Sequence, residues 1–98
     1  MRKIEQAMIA AVQQRKFWIS GNTCVDYVEA GNPNGPRSEI FLHGNHIADY
    51  WHQSGTLDVD SRTLALWPTP TTKSRLRALG AKVYTKKGTT YLDGQVVA

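Results

Sequence analysis

The sequence predicts an α+β domain: an N-terminal helix packed on an antiparallel β-meander, then a short helix and a C-terminal β-hairpin. Three observations carry that expectation. One apolar stripe near the start has helical period. Four short β-rich runs follow, separated by turn-forming residues. A capped basic segment then leads into two β-rich runs joined through a glycine. The chain has 98 residues, enough for one domain spanning 1–98 with one core. Its 41% apolar and 20% charged content is that of a globular protein and argues against disorder throughout.

Arg2 to Lys16 reads as the first helix. Ile4, Ala7, Met8, Ala11 and Val12 recur at i, i+3, i+4, i+7 and i+8, which is one face. Glu5, Gln6, Gln13 and Gln14 lie off that stripe. Arg15 and Lys16 are placed in the last turn, at the negative end of the helix dipole. Phe17, Trp18 and Ile19 are expected to pin the helix end to the core, and Ser20-Gly21-Asn22 to end the element.

Cys24–Glu29 is rich in β-branched and aromatic residues and reads as a strand. The Gly31–Pro36 run is a turn. Glu39–His43 and His46–Trp51 flank Gly44-Asn45, read as a two-residue hairpin loop. That loop sets His43 opposite His46, Leu42 opposite Ile47 and Ile40 opposite Asp49, with Trp51 at the end of the core face. Thr56–Asp60 alternates as a half-exposed strand. Trp67-Pro68-Thr69-Pro70 is a stiff extended approach. Thr71 or Thr72 then caps a helix over Lys73–Leu79, with Leu76 and Leu79 inward, and Gly80 stops it. Lys82–Thr85 and Thr89–Leu92 form the last hairpin around Lys86-Lys87-Gly88.

Charge is segregated. From Ser61 to Ala98 there are seven basic residues against one acid, a net of +6; from Met1 to Asp60 there are five against seven, a net of −2. Such a distribution produces a directed field that recruits partners. Lys73, Arg75, Arg77, Lys82, Lys86 and Lys87 supply the field, and Tyr84 and Tyr91 alternate beside them. That pattern fits nucleic acid or an acidic protein surface. Thr72 and the start of its helix offer a further seat for a phosphate. The bland alternative is a solvated face that keeps a small protein in solution. Trp18, Trp51 and Trp67 are candidate exposed aromatics, and Trp51 and Trp67 join the candidate partner-binding set.

Catalytic and metal chemistry find little support. Cys24, the lone cysteine, has no basic neighbour within three residues to stabilise a thiolate. A Cys24–His43–Asp49 arrangement can be written down but lacks any local motif. Asp58 and Asp60 share a strand face, which an exposed strand explains as well as a carboxylate pair does. His43 and His46 would be two ligands where a zinc site wants three or four. No glycine-rich phosphate loop is present. The expectation is a non-enzymatic protein with no metal and no cofactor. No apolar run nears the roughly 18 residues that cross a bilayer. The N-terminus does not read as a signal peptide, which points to the cytosol.

Trp67-Pro68-Thr69-Pro70-Thr71-Thr72-Lys73-Ser74-Arg75-Leu76-Arg77-Ala78-Leu79 resembles a recurring piece of small bacteriophage proteins. There, a Trp and a Thr-Thr-Lys-x-Arg-Leu-x-Ala-Leu run precede a short hairpin. Leu42–Ala48 and Met1–Gln6 look like parts of the same phage family. The Gly31–Arg37 loop and the prolines after Trp67 depart from its pattern. The resemblance brings no enzymatic activity with it. It implies a phage origin, and with it host takeover or defence evasion in the host cytosol. The expected protein docks on a host assembly with an acidic surface and blocks it, as an anti-CRISPR protein would. The alternative is direct nucleic-acid binding.

Overall fold

The computed structural model describes residues 1–29 and 35–97. The turn expected over Gly31–Pro36 therefore lies outside the described residues up to Asn34. Helix α1 (Lys3–Gln13) leads into strands β1 (Trp18–Ser20), β2 (Thr23–Val28), β3 (Arg37–Leu42), β4 (Asn45–Trp51) and β5 (Thr56–Val59). Helices α2 (Ser61–Leu66) and α3 (Pro70–Ala78) come next, then β6 (Val83–Lys86), β7 (Thr89–Leu92) and β8 (Gln95–Val96). The first five strands form one antiparallel meander in chain order, and the last three form a second small sheet. The class is α+β, as the sequence predicts.

The larger sheet buries one face. Thr23 and Val25 of β2, Ser38, Ile40 and Leu42 of β3, and Ile47 and Ala48 of β4 are buried. Met8, Ala11 and Val12 of α1, Leu64 of α2, Leu76 of α3 and Val83 of β6 complete the core, so the helices form a second layer on that face and the ribbon packs against α3.

Several local expectations need correction. Helix α1 ends at Gln13, before Arg15 and Lys16. Arg15 takes a left-handed conformation (φ 54°), and the Lys16 N–H donates to the Ala11 carbonyl, closing the end without a glycine. Phe17 and Ile19 do not pin the helix: each is 61% exposed. They flank and enter β1, an edge strand whose Trp18 alone turns to the core.

The β3–β4 loop is His43-Gly44, not Gly44-Asn45. Both residues have positive φ (51° and 78°), the requirement of a type I′ turn. The register moves accordingly: Leu42 is opposite Asn45, Phe41 opposite His46, and Ile40 opposite Ala48. Ile47 is the extra residue of a bulge, which lets Ile47 and Ala48 both be buried. His43 and His46 are therefore not partners, and Leu42 and Ile47 share the core without being paired. Trp51, opposite Arg37, moves to the outer face.

Helix α2 has no counterpart in the sequence reading. Asp60 caps it, its Oδ1 accepting from the Thr63 N–H at 3.0 Å. Helix α3 starts earlier than expected, with Thr69 as cap and Pro70 in the first turn. β8 is a further unforeseen strand, joined to β7 through Asp93-Gly94, again with two positive φ values (52° and 82°).

Candidate functional site

The C-terminal ribbon carries three of the six cations expected at a binding site, Lys82, Lys86 and Lys87. Its register sets Tyr84 opposite Tyr91 and Lys86 opposite Thr89 on one face, with Val83 and Thr90 on the other. Val83 and Thr90 are buried and anchor the ribbon. Tyr84 is 43% exposed and stacks on Tyr91, the rings nearly parallel at 10° with centroids 5.0 Å apart. Lys82, just before β6, and Lys86 lie along the tyrosine side, since alternate strand residues share a face. Lys87 sits in the turn with φ 51°, next to Gly88 at 79°. All three lysines are exposed and make no ion pair among the described residues.

Helix α3 braces this ribbon. The Lys73 ammonium donates to the Thr85 hydroxyl at 2.5 Å, and Arg77 Nη1 donates to the Val83 carbonyl at 3.1 Å. Lys73 and Arg77 thus hold the ribbon in place, Lys73 through Thr85 on the face opposite Tyr84.

Arg75 does not belong to it. Its residue exposure is 3%, and its Nη1 donates to Glu5 Oε2 at 2.8 Å, with Glu5 equally buried. Arg75 Nε donates to Thr23 Oγ1 at 3.0 Å, and the Ser74 hydroxyl donates to the same Glu5 oxygen at 2.6 Å. This cluster ties α1, β2 and α3 together. Burial opposes the Glu5 charge, but the hydrogen bonds from Ser74 and Arg75 outweigh it and hold the carboxyl below its usual value of 4.5. The helical spacing Thr72, Arg75, Leu76 marks the inward face of α3, and it was the available signal. Thr72 offers no phosphate seat: it is buried, and its N–H is taken by Thr69 Oγ1 at 3.1 Å.

The tryptophans lie apart from the ribbon's tyrosine face. Trp51 is half-buried on the outer sheet face, with the Arg37 guanidinium 5.5 Å above its ring. Trp67 is 53% exposed between α2 and α3, at the rim of a cavity of about 270 Å³ that His43, Ile47 and Thr63 also line.

His46 is held between two carboxylates. Nε2 donates to Asp49 Oδ1 at 2.7 Å and Nδ1 to Asp60 Oδ2 at 3.2 Å, which suits the doubly protonated ring. Burial disfavours that charge, yet the two carboxylates prevail and raise the His46 pKa above 6.5. His52 differs: burial first, then the Arg15 charge, lower its pKa, and its Nε2 lies 2.7 Å from the Ser38 hydroxyl. Ser38 is fully buried, whereas His52 is half-buried and lines a cavity of about 390 Å³ with Val12, Arg15 and Tyr50. Burial and the Asp26 carboxylate push the Cys24 thiol up, away from the thiolate. Asp49 bonds His46 rather than His43, so the Cys24–His43–Asp49 arrangement does not assemble. Asp58 faces outward from β5 opposite Asp49, while Asp60 caps α2 through Oδ1 and bonds His46 through Oδ2. Among the described residues, no group of three or more His, Cys, Asp or Glu is arranged to hold a metal ion. No described helix is long and apolar enough to cross a membrane.

A family model described as Kyanoviridae Gp96 protein matches residues 1–98, and the chain belongs to that phage protein family. No curated protein and no solved structure matches the chain.

Proposed function

We propose that this member of the Kyanoviridae Gp96 family is a non-enzymatic binding protein. It docks its basic ribbon on an acidic surface of a host protein assembly in the host cytosol and blocks that assembly. Host takeover or defence evasion is the setting, and inhibition of a CRISPR effector is one concrete form. The observation that supports this reading is the ribbon's outer face. Two stacked tyrosines stand among Lys82, Lys86 and Lys87, braced by Lys73 and Arg77 of α3. A braced aromatic pair inside a cationic rim has the composition of an interface anchor. The tyrosines stack on each other, so one face of each ring is already occupied and neither ring can be sandwiched between bases, which supports a protein partner.

Direct nucleic-acid binding is the second reading. The density of cations around Tyr84 supports it. The experiment compares wild type with Tyr84→Ala and with Lys86→Glu/Lys87→Glu. A host complex recovered with wild type is reconstituted from purified parts, and its affinity for each variant is measured. Loss with both variants, while both still fold, is expected. Generic duplex and single-stranded DNA are titrated in parallel at about 0.15 M salt. Salt-sensitive binding at micromolar strength or better would replace the protein reading with the nucleic-acid one.

A further inference from the structure

The outer face of the five-stranded sheet carries a row of carboxylates across four strands. Asp26 is opposite Glu39, Glu39 opposite Asp49, and Asp49 opposite Asp58. Directly opposite residues project from the same face about 4.5–5.5 Å apart, where like charges oppose folding. Arg37 answers Glu39 at 3.0 Å, and His46 answers Asp49. Asp26 and Asp58 are exposed and make no ion pair among the described residues. The buried residues of these strands lie on the opposite face, where the helices pack, so the acidic row faces outward.

The same chain carries a basic counterpart. Lys82 and Lys86 stand four residues apart along one side of the ribbon, about 13 Å at strand rise. Asp26 and Asp58 are separated by three strand spacings, about 14 Å. The two spans match when a ribbon strand lies across the sheet strands. Tyr84, midway between the lysines, then meets the middle of the row. Phe41 and Trp51 occupy the outward positions next to it along β3 and β4.

We propose that the acidic row of one copy receives the lysine ribbon of a second copy. The two surfaces differ, so the contact is heterologous and continues into a ring or an open chain unless two copies engage each other reciprocally. This inference goes beyond the host-partner reading and does not rest on it.

Sedimentation mass is measured against concentration in about 0.01 M and about 1 M salt, where the screening length falls from about 30 Å to about 3 Å. Wild type is expected to self-associate at low salt and to be monomeric at high salt. Asp26→Lys/Asp58→Lys and Lys82→Glu/Lys86→Glu are each expected to stay monomeric alone, with unchanged circular dichroism. Mixed in equal amounts, they regain association, because each then meets an opposite charge. A wild type that is monomeric at low salt overturns the proposal. So does association that survives either reversal, or a mixture that stays monomeric. If polylysine binds the acidic row of a wild type that does not self-associate, the row serves a foreign basic partner and the proposal fails.

Discussion

Replacing Arg75 separates a buried cation from its exposed neighbours. Arg75→Ala leaves the Glu5 carboxylate 3% exposed, with Ser74 as its remaining side-chain donor. Removing one partner of a buried pair costs about 3–5 kcal/mol, because the other charge stays behind in a low dielectric. A domain of this size holds about 5–15 kcal/mol in total. Arg75→Ala should therefore lower the urea midpoint by about 1 M or more, given slopes of about 1–3 kcal/mol per molar. Lys86→Ala removes a formally identical charge from the exposed ribbon and should change stability by less than about 0.5 kcal/mol.

A double variant isolates the cause. Glu5→Met/Arg75→Met removes both charges and should recover most of the loss, since apolar replacement of a buried pair is often neutral or better. Thr23 keeps a partner there, its hydroxyl donating to Asn22 Oδ1 at 2.8 Å. The depressed Glu5 pKa gives a pH signature. The pair's contribution is full above the unfolded value of about 4.5 and fades as pH falls through the lower folded value. Equilibrium urea unfolding at pH 7 and pH 4 reads all of this. An Arg75→Ala midpoint as close to wild type as that of Lys86→Ala would refute the reasoning.

The two placed histidines should pull stability in opposite directions near neutral pH. The raised His46 pKa contributes stability below about 6.5 that is lost as pH rises through the folded value, whereas the lowered His52 pKa makes stability fall as pH drops below about 6.5. Thermal melts from pH 5 to 8 should show His46→Gln more stable toward high pH and His52→Gln more stable toward low pH, relative to their own values at the other end. Leu42→Ala should cost about 2–5 kcal/mol by opening a cavity in the buried sheet face, and a denaturant midpoint equal to wild type would contradict that placement. Asp60→Ala should cost about 0.5–2 kcal/mol through the lost α2 cap, read as a lower melting temperature.

Periodicity made α1, the meander and the last hairpin legible, because burying one face imposes a pattern along the chain. Conformational choices between near-equal alternatives were not legible. His43-Gly44 and Gly44-Asn45 both satisfy the chemistry of a tight turn; the choice depends on a bulge that buries Ile47 beside Ala48. The ribbon cations stand out as a charge run, whereas only the helical phase of α3, with Thr72, Arg75 and Leu76 on one side, removes Arg75 from them. Glu5 lies off the apolar stripe by residue type, yet Glu5, Met8 and Val12 sit three and seven apart on the buried side of α1. The acidic row leaves no signal along the chain, because its members are distant in sequence and meet only through register. α2 has six residues, too few for a periodic signal, so only the Asp60 cap marks it in the sequence.

The bond between Glu5 and Arg75 also orders events in time. Every neighbouring strand pair in the meander joins consecutive segments, so those contacts close short loops and form early. Glu5 and Arg75 lie 70 residues apart. At about 5–20 residues per second of synthesis, Arg75 follows Glu5 by about 4–14 s. Throughout that interval, Glu5 lacks both Arg75 and Ser74, the α3 groups that bond its carboxylate in the finished fold. The contact between α1 and α3 is thus the latest of α1's ties to be completed, and the sheet meets its second layer in two instalments.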